Sequence, residues 1–460
     1  MIRSTSTVVR SPWGFLLAAV VAIAFATPIV GALPLAPADP PQLEPLEKKA
    51  AADKIREFLN ALKSEGDAKK KDAVFDGVDK SLQKLSKDKK SPPLDQFPSL
   101  ISELVRSSIE YKKAGTPNGR LSPGKREEMF GGKTIKNDYQ LWLPRKYDAA
   151  QSWPLILCLP SAKETGQAYF DAVYGKHEAF KNDYIIACPT LLESNFKVEK
   201  GQPAVEPNWF APQGLFQLLA LTLKDVNEAY NIDPNRIYLD GYDDGGEAAF
   251  KVGSSFLDLF AGIVARSAAP PGDVFLENLK LVPVLNVVGT KDKAATAATN
   301  AEAQAKKLTL DKYKLLSPEG SGAKGHFESE NDKIYEWLAD KKRSPYPPEI
   351  EIFATDRRYG RAHWIQITSM EIGPEYRAHV KASFDRAANK ITIASENVYT
   401  FNVLLNDEII DMDKPFEIVT NGTQKFTGKK ERELRSALER VFSSGDSTRI
   451  FLNSVEISTK

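Results

Sequence analysis

Between about Asp138 and Lys342, short apolar runs recur at YQLWLP, PLILCLP, YIIACP, RIYLDG, FAGIVARS and LVPVLNVVG. Helical patterns lie between several of them, the best running from Leu215 to Tyr230. Runs that stay apolar, without alternating, predict strands buried on both faces, as in a parallel sheet covered by helices. Residues 116–343 therefore read as a doubly wound, mostly parallel α/β domain. Ligands of such sheets bind outside the carboxyl ends of the strands. Upstream, Ile55, Phe58, Leu59 and Leu62 recur at three- and four-residue spacing, as do Leu100, Ile101, Leu104 and Ile109. That periodicity predicts a helical region over 47–115. Downstream of Pro345 the rhythm turns to strands: HWIQI, KITIAS, VYTFNVLLN, FEIVT and RIFLNSVEI, with one helical segment from Glu431 to Phe442. Asn421-Gly422 reads as a hairpin turn between two of these strands. Residues 344–460 are thus expected to form a small β-rich domain.

The first residues carry a different signal. Arg3 and Arg10 form a basic start, Gly14 to Ala26 is apolar and uncharged, and Ala24-Phe25-Ala26 and Val30-Gly31-Ala32 are small-residue cleavage sites. Residues 1–32 read as a secretory signal peptide, which predicts a secreted or periplasmic protein. The alternative is an uncleaved membrane anchor, because the apolar stretch runs on to Leu33. The proline-rich segment 33–46 reads as an extended linker.

Composition narrows the partners. Lys+Arg (62) and Asp+Glu (61) nearly cancel. No global field favours nucleic acid, and the only expected membrane contact is an uncleaved anchor. A lysine-rich stretch around Ser86 to Lys90 reads as a solvated face. Cys158 and Cys188, the only cysteines, sit in apolar runs. They make neither a disulfide framework nor a zinc site and read as buried thiols. No cofactor is predicted, and a small-molecule or peptide ligand is the expected partner.

The chemistry concentrates in RIYLDGYDDGGEAAFKVG. A strand runs into Gly241-Tyr242-Asp243-Asp244-Gly245-Gly246 and then a helix. This is the spacing of a G-x-S-x-G nucleophile elbow with Asp243 in the serine's place. The central residue of such a turn is strained, and glycines beside it let strand and helix approach. The helix N-terminus behind it favours negative charge.

The span from about Tyr139 to Trp337 resembles secreted bacterial α/β-hydrolases of the prolyl-oligopeptidase-like and polyhydroxybutyrate-depolymerase-like esterase group. The likeness rests on YQLWLPRKYDAAQSWPLILCLP, NIDPNRIYLDGYDDGG, PVLNVVGTKDK and GHFES…IYEWLADKKR. It implies an α/β-hydrolase fold of the ester or peptide hydrolase class, with nucleophile, acid and histidine in that order. Asp292, in Gly289-Thr290-Lys291-Asp292, falls at the acid's position, and His326, in Gly325-His326, at the base's. A histidine used this way needs a carboxylate on one ring nitrogen and a reacting group near the other. Of His177, His326, His363 and His379, only His326 lies in a glycine-flanked loop after the last sheet strand. Two positions depart from the family: Asp243, and the loop after LILCL, where Pro160-Ser161 replaces His-Gly. The backbone N–H groups of Ala162 and Asp244 remain the expected oxyanion donors.

Three uses of an elbow aspartate are open. It can serve as a true nucleophile, as in epoxide hydrolases and haloalkane dehalogenases, which resemble this fold but carry a helical cap that this chain has no room for. The site can be degenerate, with Asp243 and Asp292 flanking His326 and removing its use as a base. Or Asp243, Asp292 and His326, with Asp244 or Asp240, can recruit a divalent metal. A displaced nucleophile would have to come from Ser161, Ser254, Ser255 or Ser267, none in an elbow's glycine context. Asp244 and Glu247 are explained by the first turn of a helix. Tyr242 and Trp209 are candidates for the cleft wall, with packing as the simpler role. The degenerate reading, with weak or absent serine-hydrolase activity, accounts for both departures.

Overall fold

The computed structural model describes residues 39–63, 68–85, 94–112, 119–130, 132–196, 206–211, 213–318, 324–373 and 375–460. The signal or anchor segment and the lysine run at 86–90 lie outside them. Among the described residues no helix is long and apolar enough to cross a membrane.

Three helices open the described chain: α1 (Pro45–Lys63), α2 (Ala68–Leu85) and α3 (Pro98–Ser108). The middle third alternates. It comprises β1 (Leu121–Phe130), β2 (Lys133–Trp142), β3 (Trp153–Leu159), α4 (Gly166–Val173), α5 (Glu178–Asp183), β4 (Ile185–Thr190) and α6 (Leu219–Ala229). There follow β5 (Ile232–Tyr242), α7 (Asp244–Ser255), β6 (Gly262–Arg266), β7 (Val284–Val287), α8 (Ala295–Lys307), β8 (Tyr313–Leu316) and α9 (Asn331–Ala339). The last third holds β9 (Glu349–Ala354), β10 (Arg361–Ala362), β11 (Ile365–Met370), β12 (Ala378–Asp385), β13 (Lys390–Glu396) and β14 (Val398–Leu405). It ends with β15 (Phe416–Thr420), β16 (Thr423–Gly428), α10 (Leu434–Ser444) and β17 (Asn453–Ser458).

The first eight strands form one sheet in the order β1-β2-β4-β3-β5-β6-β7-β8. β2 runs antiparallel to both β1 and β4, and every other pairing is parallel. That order, with a sharp strand–turn–helix after β5, is the α/β-hydrolase fold. Successive residues of β3 feed opposite cores. Leu155, Leu157 and Leu159 pack on one face, and Ile156 and Cys158 on the other. Cys158 and Cys188 are both buried free thiols. The chain leaves β3 toward β4 and leaves β5 toward β6, on opposite sides. The crevice therefore opens at the carboxyl ends of β3 and β5, where the order reverses.

Two strands of this sheet escape the hydrophobic pattern. β1 holds Pro123, Gly124 and four consecutive charges, because an edge strand faces water along one side. β8 is an edge strand of four residues. In the last third β9, β10, β12 and β16 were likewise silent in the pattern, and the Asn421-Gly422 turn joins β15 to β16 as expected. Both turn residues have positive φ, 51° and 76°, as a tight primed turn demands.

The helices α1–α3 and the final third share one hydrophobic core. Ile55, Phe58, Leu100 and Leu104 join Ile352, Phe401, Leu438 and Ile457 in it. Arg435 on α10 lies over the rings of Phe58 and Phe75 and pairs with Asp72. Regions separated by the whole α/β segment thus stabilise each other.

The α/β segment and the β-rich part meet at a buried charged cluster. Arg343 reaches Asp446 at 2.8 Å and Asn235 at 2.7 Å. Arg449 bridges Asp446 and Asp258, and Arg361 reaches Asp258 at 2.9 Å. Burial works to raise Asp258, but the Arg449 and Arg361 guanidinium groups hold it down at about 2. His363 is buried beside this cluster. Burial pushes it down to about 3, with Arg343 and Arg449 adding and Asp258 opposing. The ring is therefore neutral when folded, while an unfolded histidine titrates near 6.5. The unfolded chain binds the extra proton, so this contribution is complete above about pH 6.5 and is lost as pH falls toward 3. The expected loss is about 1.4 kcal/mol per pH unit through that window. Urea unfolding across pH checks it. His363→Gln should flatten the acid limb, and an unchanged slope in that variant would rule the assignment out.

Candidate functional site

The elbow backbone is the one its glycines dictate. Asp243 has φ 56° and ψ −121°, a conformation costing about 1–3 kcal/mol for a residue with a side chain. Its N–H donates to the Arg266 carbonyl at 3.0 Å, and its own carbonyl accepts the Glu247 N–H at 3.0 Å. A Cβ on Gly241 would stand 2.2 Å from the Gly245 carbonyl oxygen. One on Gly245 would stand 2.0 Å from that of Leu159. Side chains at either position would push α7 off the sheet, so the turn survives only with glycines there.

The carboxylate at the tip is neutralised in place. Lys324 Nζ sits on Asp243 Oδ2, and Lys293 Nζ lies 3.7 Å from Oδ1. The next residue changes the expected oxyanion site. Asp244 turns its carboxylate to the Ala162 N–H, which donates at 3.0 and 3.2 Å to the two oxygens. The expected donor at Ala162 is therefore occupied. The loop after β3 lies tight against the start of α7 because Gly245 lets it, and a carboxylate one residue away satisfies its N–H. Trp209 is a strut beneath this loop and no part of the cleft wall. It is fully buried and its Nε1 donates to the Pro160 carbonyl at 2.6 Å.

His326 is held on several sides. Its Nε2 lies 3.1 and 3.2 Å from the Glu164 carboxylate oxygens. The Tyr242 ring packs against it with centroids 3.9 Å apart and planes tilted by 30°, and Tyr169 meets it edge-on at 5.8 Å. The loop backbone is tied down too. Ser267 Oγ accepts the Gly325 N–H and donates to the Gly325 carbonyl, both at 2.9 Å. That engagement, and the bond from Ser254 Oγ to the Lys251 carbonyl, give these two hydroxyls structural work.

Asp292 does not complete the expected couple with His326. Its Oδ1 accepts the Ala294 N–H at 2.9 Å, while the buried Oδ2 has no hydrogen-bond partner among the described residues. The imidazole has gone to Glu164, on a loop no pattern tied to it. Nor do these groups assemble for a metal: among the described residues no cluster of three or more His, Cys, Asp or Glu side chains is placed to hold one. Asp240 is committed elsewhere, its carboxylate pairing with Arg266 at 2.8 and 2.9 Å.

The cleft is a cavity of about 720 Å³ lined by the loop Ser161–Thr165, the elbow residues Tyr242–Asp244, Lys293 and Lys324. Burial raises the Tyr242 hydroxyl above its ordinary range, and Asp243, Glu164 and Asp292 add to the effect. Glu247 is raised as well, by burial first and then by Asp243. Sequence reasoning missed Glu164, Lys293 and Lys324. The signal available for Glu164 was its place just after β3, the strand beside β5. The lysines flank Asp292 and Gly325-His326 in the chain.

No protein-family model matches the sequence, and no curated protein matches it. Solved structures that resemble it include a thermostable esterase, with a TM-score of 0.38, 18% identity and coverage of 48% of this chain and 63% of that one. The chain thus spans less than two thirds of that esterase's length. A ferulic acid esterase from the anaerobic fungus Anaeromyces mucronatus resembles it at a TM-score of 0.39 and 15% identity, covering 50% of this chain and 94% of that one. An S-formylglutathione hydrolase from Staphylococcus aureus does so at 0.38 and 10%, covering 50% and 98%.

Proposed function

We propose that this chain is an α/β-hydrolase-fold protein of the ester or peptide hydrolase class that has lost serine-type turnover. Its cleft then serves outside the cytoplasm as a binding site for a small molecule or peptide. The observation that carries this reading is the Asp244 carboxylate on the Ala162 N–H. A tetrahedral oxyanion arriving there would meet a negative charge where it needs a donor. Asp243 adds a second obstacle, since a carboxylate attacking an ester or amide carbonyl gives a mixed anhydride. Lys324 and Lys293 weaken it further by pairing with the lone-pair oxygens that would attack.

The test is direct. Full-length protein incubated with a fluorophosphonate probe and with p-nitrophenyl esters is expected to show neither labelling nor turnover above buffer. Robust esterase activity that disappears in Asp243→Asn would overturn the reading. Epoxide or haloalkane turnover with an alkylated Asp243 would replace it by aspartate-nucleophile chemistry.

A further inference from the structure

We infer that Glu164 is a positioning residue that locks His326 in the tautomer whose Nε2 already carries a proton and cannot take one from the elbow residue. The inference rests on reading this cleft as a former hydrolase site. It concerns the imidazole alone, so it can fail independently of that reading.

The geometry is specific. An ionised carboxylate only accepts hydrogen bonds. With both Glu164 oxygens within 3.2 Å of Nε2, that nitrogen must carry the proton. A triad histidine needs the opposite: Nδ1–H held by the acid and Nε2 bare, to receive the nucleophile's proton. Asp292, at the position the resemblance gives to the acid, is not hydrogen-bonded to the ring. It is 6% exposed, its Oδ1 accepts the Ala294 N–H, and its buried Oδ2 has no hydrogen-bond partner among the described residues. Buried polar atoms left unpaired are uncommon and costly, about 1–3 kcal/mol each.

Two aromatic rings confine the imidazole: Tyr242 packs against it tilted by 30° and Tyr169 meets it edge-on. Arg266 Nη1 donates to the His326 carbonyl at 2.8 Å, fixing the backbone beneath it. The site is self-consistent: Asp243 faces Lys324, Asp244 faces Ala162, and Glu164 faces His326. Each catalytic function of a hydrolase (nucleophile, oxyanion donor and base) is answered by a different charged side chain of this protein.

The experiment is long-range ¹H–¹⁵N correlation of the imidazole nitrogens, with His326→Gln used to assign the signal among the four histidines. Spectra are recorded on the neutral ring. Wild type is expected to show a protonated Nε2 and a bare Nδ1, and Asp292→Asn should leave that tautomer unchanged. Glu164→Ala should invert the tautomer, and adding Asp292→Asn should abolish the inversion. A wild-type ring with bare Nε2, or a wild-type tautomer that changes with Asp292→Asn, overturns the inference. The wild-type measurement decides even if Glu164→Ala does not fold.

Discussion

Asp243→Ser by itself is expected to raise p-nitrophenyl ester turnover by less than about tenfold, although it places a hydroxyl at the tip of an elbow-shaped turn. The strained backbone at φ 56° and the glycines at 241 and 245 are already in place, so the serine hydroxyl would project into the cleft. It would find no base, because His326 Nε2 is committed to Glu164. It would find no Ala162 donor, because Asp244 holds it. Asp243→Ser/Asp244→Ala frees that N–H, and losing one oxyanion donor typically costs about 10²–10³-fold. The double variant should therefore exceed the single one by a factor of that order. Adding Glu164→Ala should raise it again. Steady-state kinetics and fluorophosphonate labelling of the three variants measure the series. If the single variant is as active as the triple, neither Asp244 nor Glu164 suppresses hydrolysis.

Arg266→Met should destabilise the protein by about 3–5 kcal/mol, the usual cost of removing one partner of a buried ion pair. Arg266 is fully buried. Burial opposes its charge, but the Asp240 carboxylate holds it protonated, above its ordinary range. Asp240 also accepts from the Tyr169 hydroxyl at 3.1 Å and from that of Tyr174. The guanidinium then reaches the His326 carbonyl and Asn331 Oδ1, at 2.8 and 3.0 Å. One residue at the end of β6 therefore ties β5, the histidine loop and the start of α9 together. Without it Asp240 is an unpaired buried charge. Asp240→Asn/Arg266→Met should recover part of the loss, since the stranded charge goes with its partner. Chemical denaturation gives the energies. Hydrogen exchange at Gly325–Phe327 reports the loop, which should lose protection in Arg266→Met. An Arg266→Met variant within about 1 kcal/mol of wild type would show that the pair is not structural.

Part of the site was legible along the chain because its physics is local. The elbow requires glycines two residues either side of its tip and a helix immediately after, so a dozen contiguous residues disclose it. The turn at Asn421-Gly422 is legible for the same reason. The six apolar runs of the sheet were legible because strands covered on both faces are apolar at most successive positions. β1 was not, since an edge strand tolerates Pro123, Gly124 and charges along its open side. The order Asp243, Asp292, His326 came from the family resemblance, and order is not pairing.

By itself, then, the sequence determined the class of fold and the glycine-flanked strand–turn–helix with Asp243 at its tip. Those follow from local sterics and from the period of apolar residues. Only the tertiary structure decided what the site's groups do. Glu164 meets His326 across 162 positions of chain, Asp244 meets Ala162 across 82, and the N-terminal helices share a core with the last strands. Which charge finds which donor depends on how loops from separate strands come together over the sheet. A carboxylate's partner is the donor nearest in space, and spacing along the chain does not disclose it.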